Sequence, residues 1–591
     1  MNDRLPNAGH WNAVACTALA QAWVEAGIQH AVIAPGSRSA PLAVALARTP
    51  GINCAVVLDE RAAGFRALGI GMATGMPAVV LCTSGTAGTH LHAPIVEAFH
   101  ARVPMIVCTA DRPPELHGVG APQTIDQRAL FGAAVRAFYE PGPPDDFADF
   151  TAARAAFEDM ATFSVTTSTG QPHRSPRGPV HLNLAFREPL LIAHDDVAPV
   201  ATPTVRASSV MPTPSEWDPT SDAAVRLAAN VVGQVKGLLV LGFGADVRSE
   251  VVARFTAASG WPVIAETISN QRVLPDAISH YEALLRCAQW AQAHRPEFVI
   301  RIGGAPTSKT LLHWLDSSVP QALLDPDGHW ADPLAAVSQR VHGDPNEVLA
   351  VLADRCDASA EMASDQTTWR AAWCSANELA RHAIDAVLDS EPKPTEPRVA
   401  RDVFGELRTG TNVLVASSMP VRDLDWFVAP RSGVAVFANR GANGIDGLVS
   451  TAVGIATGSG QPTLLITGDL ALLHDASGLL NAKTSGVALT IVVIDNGGGG
   501  IFSFLPQAEL CEPSEFEFLF GTPQAVDIAA VIGGYGVSVI EVDRAEALSE
   551  AVNRSLAAGG VRAVLVRTNR DENVELHRRS WAAAAYALTN N

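Results

Sequence analysis

Short apolar runs recur along the chain, separated by longer Ala-rich stretches with helical spacing. Ala31–Ala34, Cys54–Leu58, Ala78–Cys82 and Met105–Thr109 have the length and composition of buried strands, and Pro179–Leu184 closes the series. Between them, Pro41–Arg48 and Arg61–Thr74 carry helical patterns. Unbroken apolar strands joined by helices predict a parallel sheet, because such strands are covered on both faces. A second series holds Gly237–Leu241, Pro262–Ala265, Phe298–Ile302 and Ala322–Leu324. A third holds Asn412–Ala416, Val434–Ala438, Thr463–Thr467, Leu489–Ile494 and Val561–Arg567.

Polar stretches separate the three series. His194–Asp222 is rich in Pro, Thr, Ser and Asp and reads as a linker, a second break spans Asp357–Gln366, and Ser390–Arg398 carries three prolines. The predicted fold class is α/β, with three doubly wound parallel-sheet domains: 1–193, a linker 194–222, a central domain 223–356, a linker region 357–398, and 399–591. At ~100–200 residues per domain, a chain of 591 residues accommodates three. The first and third series echo each other: Gly69–Gly75 reads GIGMATG and Ala452–Gly458 reads AVGIATG. Either all strand–helix–strand units look alike here, or one ancestral domain occurs twice around an insertion.

Composition and charge narrow the function. Hydrophobic residues make up 48% and charged residues 17%, which excludes a wholly disordered chain. A net charge of −19 argues against non-specific nucleic-acid binding and requires a local basic pocket for any anionic substrate. Eight cysteines without a Cys-x-x-Cys pair argue against a disulfide framework or zinc ribbon and fit a reducing cytoplasm. Met1–His10 lacks the pattern of a signal peptide, and no apolar run approaches the ~18 residues of a membrane span, so no membrane association is expected.

The chemistry concentrates at Gly468-Asp469-Leu470 and, 27 positions after Asp469, at Asn496, which opens the run Gly497–Gly500. Each follows a predicted strand. If those strands are neighbours, both side chains emerge at the carboxyl edge of the sheet, where open α/β sheets bind ligands. A carboxylate from Asp469, an amide oxygen from Asn496 and a backbone carbonyl at Gly498 form a hard oxygen site. It suits Mg²⁺ (or Mn²⁺) holding a diphosphate. Taken separately, the same residues could be a capping Asp and an Asn-Gly turn.

The Gly-Asp…Asn spacing resembles the diphosphate-binding motif of thiamine-diphosphate-dependent enzymes, with Leu470 where a second Gly is usual. Within that superfamily the chain resembles the 2-succinyl-5-enolpyruvyl-6-hydroxy-3-cyclohexene-1-carboxylate synthases. The resemblance runs from about His30 to Gln507. It is dense in Ala34–Leu42 (APGSRSAPL), Asp59–Gly71, Thr83–Thr86, Thr109–Leu116 (TADRPPEL), Asn439–Thr451 (NRGANGIDGLVST), Gly468–Asp475 (GDLALLHD) and Asn496–Pro506, and thin in the middle domain. It implies a pyrimidine-binding first domain, a central domain and a diphosphate-binding third domain.

The same resemblance implies thiamine diphosphate as cofactor and assigns roles. Glu60 would hydrogen-bond the aminopyrimidine ring and promote loss of the thiazolium C2 proton. Ile445 would bend the cofactor, and Ser418, Met419, Gly468, Leu470, Ala471 and Ile501 would line it. Arg422 and Arg440 would take the carboxylates of 2-oxoglutarate and act in catalysis. Ser37, Arg38, Arg112, Gln123, Lys309 and Phe502 would face isochorismate. Forked guanidinium groups suit two dianionic substrates. The implied reaction releases carbon dioxide from 2-oxoglutarate and adds the succinyl carbanion 1,4 to isochorismate in menaquinone biosynthesis. Two departures stand out: Pro122 precedes Gln123 where Asn is common, and Thr310 follows Lys309 where a basic residue sometimes stands. Implied partners are the two substrates and further copies of the chain, as a homodimer or homotetramer with active sites at the subunit interface. Alternative readings are another thiamine-diphosphate-dependent ligase of 2-oxo acids, acetolactate-synthase-like, or a non-catalytic relative. A dinucleotide-dependent dehydrogenase is disfavoured, because Gly242–Gly244 (GFG) has Val247 where the last Gly of the fingerprint would be.

Overall fold

The structure is a computed structural model that describes residues 7–171, 175–193, 218–329, 331–358 and 364–590. Most of the expected linker 194–222 lies outside the described residues. The described residues form three sheets. The first contains β1 (His30–Ile33), β2 (Asn53–Val56), β3 (Ala78–Cys82), β4 (Met105–Asp111), β5 (Ala137–Tyr139) and β6 (Pro179–Ala185), in the order β2-β1-β3-β4-β6-β5. All five pairings are parallel. The central sheet contains β7 (Gly237–Leu241), β8 (Val263–Ala265), β9 (Phe298–Ile302), β10 (Gln321–Asp325) and β11 (Gln339–His342), ordered β11-β10-β9-β7-β8 and also parallel. The third contains β12 (Thr411–Val415), β13 (Val434–Phe437), β14 (Thr463–Gly468), β15 (Leu489–Asp495), β16 (Ser538–Val542) and β17 (Val561–Arg567), ordered β13-β12-β14-β15-β17-β16.

Counted from its own first strand, the third sheet has the same order as the first: second, first, third, fourth, sixth, fifth. Shared topology together with the GIGMATG/AVGIATG echo favours duplication over chance likeness. Every strand read from the sequence is present. The three additional ones, β5, β11 and β16, each lie at a sheet edge.

The chain divides into two compact units. One comprises residues up to Thr213 with Asn439–Gln461 and His474–Leu489; the other comprises Pro214–Ala438, Pro462–Leu473 and Thr490–Asn591. In the first unit, the helices Glu60–Thr74 and Leu448–Ser459 pack directly against each other, and the two echoing motifs form the contact. A Cβ on Gly69 would lie 2.1 Å from the Thr451 carbonyl oxygen, and one on Gly454 would lie 2.2 Å from that of Arg66. The glycines therefore permit backbone-to-backbone approach.

In the second unit, the expected linker region 357–398 contains a 26-residue helix, Ser364–Asp389. Its buried face runs Trp369, Trp373, Ala376, Ala380, Ile384 and Leu388 at helical spacing, packed on the Arg570–Asn590 helix. The polar composition of its opposite face made this stretch resemble a connection. Arg272 and Asp425 form a buried ion pair at 2.7 Å, joining the central sheet's flank to the Met419–Phe427 helix.

Candidate active site

The reversal of strand order in the third sheet falls between β12 and β14. Chains leaving the carboxyl ends of those strands diverge there, opening a crevice. Ser418 and Met419 follow β12, and Asp469 follows β14. Asn496 follows β15, which is β14's neighbour, so the adjacency that the motif spacing requires is present. Ser418 has φ +74°, a conformation that ordinary residues rarely adopt.

Asp469 is 6% exposed. Burial pushes its carboxyl up to about 6, opposed by hydrogen bonds from the Leu470 and Gly498 N–H groups. The Asn496 Nδ2 donates to Glu396 Oε1 at 2.9 Å, while its Oδ1 is buried without a hydrogen-bond partner. A buried amide oxygen left open is costly unless a ligand completes it. An oriented amide oxygen beside a carboxylate fits a divalent oxygen-loving cation. Glu396 also accepts from Thr568 Oγ1 at 3.2 Å, and burial, with Asp423 nearby, holds its carboxyl above the ordinary range. Glu396 was not identified from the sequence; its helix is three residues long and no motif marks it.

Within the run, Gly498, Gly499 and Gly500 are packed rather than loose. Gly498 has φ +139°, and a Cβ there would meet the Gly521 carbonyl oxygen at 2.0 Å. A Cβ on Gly499 would meet the Phe520 carbonyl oxygen at 2.3 Å. Phe502 packs at a tilt against Phe520, with ring centroids 5.5 Å apart. Ala471 is buried and Leu470 half-buried in the helix that Asp469 opens.

A cavity of about 870 Å³ in this unit brings together Met419, Arg422, Ile501 and Lys309, residues far apart in sequence. Arg422 Nη1 is tied to the Ser418 carbonyl. Lys309 opens a short helix capped by Ser308. Two further cations line the cavity, Arg286 and Arg578, alongside the carboxylates Glu282, Glu509, Glu517, Asp571 and Glu575. Arg286 and Arg578 were missed in the sequence because both sit in helical patterns where an exposed arginine is unremarkable. Phe502 does not line this cavity.

The first unit holds the remaining candidates. Glu60 is half-buried at the first turn of its helix, whose cap, Asp59, accepts from the Arg61 and Ala62 N–H groups at 2.9 and 3.3 Å. Asp59 also accepts from Ser477 at 2.9 Å, and Arg61 donates to the His474 carbonyl at 3.1 Å. Together these bonds fix the start of the helix and hence the backbone of Glu60. Arg440 lies in a turn whose Gly441 and Ala442 N–H groups donate to buried Glu97 at 2.6 and 2.7 Å. Burial raises the Glu97 carboxyl. Ile445 is half-buried just before the Leu448–Ser459 helix.

Arg112 and Gln123 meet around buried Ser84. Arg112 Nη1 reaches the Ser84 hydroxyl and, at 3.3 Å, the Gln123 carbonyl; Gln123 Nε2 donates to the Ser84 carbonyl at 3.1 Å. Gln123, following Pro122, has φ +56°. Arg38 is buried and donates to the Phe186 carbonyl at 2.8 Å and to Glu188 at 3.0 Å, while Ser37 is exposed. Burial and the proximity of Arg38 depress the affinity of Arg112 for its proton. The grouping is a cationic edge after β1 and β4.

Among the described residues, no helix is long and apolar enough to cross a membrane. Residues 15–130 match the family "Thiamine pyrophosphate enzyme, N-terminal TPP binding domain", and residues 426–566 match its C-terminal counterpart. The full-length fold resembles a solved thiamin-diphosphate-dependent enzyme, described as putative, from Mycobacterium smegmatis. The TM-score is 0.68 at 18% identity, over 94% of this chain and 99% of that one. The chain is 40% identical to 2-succinyl-5-enolpyruvyl-6-hydroxy-3-cyclohexene-1-carboxylate synthase of Chloroflexus aurantiacus, covering 98% of this chain and 97% of the relative. It is also 40% identical to the synthase of that name from Myxococcus xanthus, over 98% of each. Near-complete coverage at this identity, on a fold of three parallel sheets with thiamine-diphosphate-binding first and third domains, makes the chain a member of the 2-succinyl-5-enolpyruvyl-6-hydroxy-3-cyclohexene-1-carboxylate synthase family.

Proposed function

We propose that the protein decarboxylates 2-oxoglutarate and joins the remaining four-carbon unit 1,4 to isochorismate, supplying 2-succinyl-5-enolpyruvyl-6-hydroxy-3-cyclohexene-1-carboxylate for menaquinone biosynthesis. The observation that carries this reading is the open amide oxygen of Asn496, just after the strand next to that of Asp469, at the carboxyl edge of the third sheet. Thiamine diphosphate, when bound, supplies a nucleophilic carbon and an electron sink for the decarboxylation. Asp469, Asn496 and the Gly498 carbonyl would hold Mg²⁺ (or Mn²⁺). Among the described residues no group of three or more His, Cys, Asp or Glu is arranged for a metal.

Ser418, Met419, Gly468, Leu470, Ala471 and Ile501 would cradle the cofactor and exclude water from it. Glu60 would hold and return a proton at the aminopyrimidine ring, with Ile445 setting the ring's approach. Arg422 and Arg440 would orient the 2-oxoglutarate carboxylates. Ser37, Arg38, Arg112, Gln123, Lys309 and Phe502 would receive isochorismate, whose two carboxylates suit a cationic site in an acidic protein. The domains would be 1–193, 223–356 and 399–591. Among the described residues none of the eight cysteines is in a disulfide, which supports a cytoplasmic setting. A homodimer or homotetramer, with active sites at the subunit interface, would cover exposed apolar side chains such as Leu58, 69% exposed, and Phe518, 79% exposed.

The test incubates purified protein with thiamine diphosphate, Mg²⁺ and 2-oxoglutarate, with and without isochorismate, and reads products by mass spectrometry. Adduct formed only with isochorismate is the expected result. Carbon dioxide without adduct would leave the cofactor chemistry standing and make the acceptor wrong. Glu60→Gln should stay folded and lose most turnover at saturating cofactor.

A further inference from the structure

Arg286 was not among the residues that the family resemblance picked out, yet its guanidinium is fixed in place at the cavity. It ends the short helix Tyr281–Arg286 and lines the cavity that also contains Lys309 and Arg422. Two contacts fix its guanidinium. Its Nε donates to Glu282 Oε1 at 2.8 Å, and its Cζ lies 3.7 Å from the ring centroid of Trp581. Glu282 is itself 1% exposed. It accepts from Thr310 Oγ1 at 2.8 Å through the same oxygen that takes Arg286, and from Ser308 Oγ through the other.

This arrangement has two consequences. First, a guanidinium carries five N–H donors, and only the one on Nε is occupied. The four on Nη1 and Nη2 have no protein acceptor among the described residues, on a side chain that is 38% exposed and faces the cavity. The Nη edge is the one that grips a carboxylate with two parallel hydrogen bonds. Second, Glu282 bonds the residues on both sides of Lys309, and Arg286 and Lys309 line the same cavity. Thr310 brings no charge of its own, but through Glu282 it helps position one. A guanidinium already stacked and hydrogen-bonded loses little freedom on taking a ligand. Arg578, by contrast, is an exposed lining residue without such an anchor.

We infer that Arg286 is a substrate-binding residue that, with Lys309, grips a carboxylate of the acceptor, isochorismate. The inference rests on the proposed reaction and on the placing of Lys309 at the acceptor side. Its test is steady-state kinetics of wild type, Arg286→Gln and Arg286→Lys, varying isochorismate and 2-oxoglutarate separately, with thermal melts of all three. A lost charge-assisted bidentate contact is expected to raise KM for isochorismate in Arg286→Gln by about ten- to a hundredfold. KM for 2-oxoglutarate and kcat at saturating isochorismate should change less than about threefold, a split that mere loss of packing would not produce. Arg286→Lys, which keeps the charge and can keep the Glu282 pair, should recover part of the loss. An isochorismate KM unchanged in Arg286→Gln, or both KM values and kcat moving together in Arg286→Lys, would overturn the inference while leaving the reaction intact. Absence of adduct with wild type would overturn both.

Discussion

Replacing Gly69 with Ala adds one methyl group at the tightest point between the Glu60–Thr74 and Leu448–Ser459 helices. The new carbon would lie 2.1 Å from the Thr451 carbonyl oxygen and 2.9 Å from the Ile455 nitrogen. An ordinary carbon–oxygen contact is about 3.3 Å, so the helices must part by about 1 Å. Both obstructing atoms are backbone, so no rotamer change relieves them. Overpacking costs ~1–3 kcal/mol where side chains can yield; here the upper end or beyond applies. Alanine's better helix propensity returns about 1 kcal/mol, leaving a net loss of about 2 kcal/mol or more. Gly533→Ala is the control: it is also helical, with nothing within 4 Å of its added methyl, and should be neutral or slightly stabilising. Apparent Tm and urea midpoints of the two variants should therefore move in opposite directions, with a reduced kcat in Gly69→Ala because the same helix begins at Glu60. Gly69→Ala melting with or above Gly533→Ala would refute the argument.

Three other outcomes are expected. Burial raises the Asp475 carboxyl from 3.8 to about 6, although Ser450 donates to it. Its contribution to stability is full below pH ~4 and lost as pH rises through ~6, about 3 kcal/mol in all. Urea titrations should thus show Asp475→Asn gaining on wild type over that window, and parallel pH profiles would count against it. Asp425→Ala strands Arg272, buried with 4% side-chain exposure. It should cost ~3–5 kcal/mol, read as a lowered unfolding midpoint. Ser418→Gly relieves a φ of +74° and should stabilise the cofactor-free protein by about 1 kcal/mol while weakening thiamine diphosphate affinity by calorimetry. Unchanged affinity would remove Ser418 from the cofactor site.

Much of this was legible from local pattern. Central strands are covered on both faces and so appear as apolar runs. The edge strands β5, β11 and β16 were not, since QRVH has one buried residue and AFY is only partly covered. The Ser364–Asp389 helix was hidden for a related reason, its tryptophan stripe being diluted by a charged outer face. At the site, Asp469 and Asn496 could be found because each follows a strand at a fixed spacing. Glu396, Glu97 and Arg286 could not. Glu396 and Glu97 receive amides 100 and 344 residues away, and nothing local marks a carboxylate that will do so. Arg286 pairs with Glu282 four residues back, but the Trp581 ring it covers and its cavity neighbours come from distant segments.

The repeated strand order has a consequence for how this chemistry arose. Two sheets with one topology offer matching edge positions, and the chain has filled each pair differently. The turn after the first strand holds Ser37 and Arg38 in one sheet and Ser418 in the other; after the second, Glu60 and Arg440; after the third, Ser84 and Asp469; after the fourth, Arg112 and Asn496. One copy carries an acid and two arginines, while the other carries an oxygen-rich pair together with Arg440. A gene doubling followed by division of labour would leave such a record, in which the ancestral edge survives as a shared address and the residues as two later vocabularies.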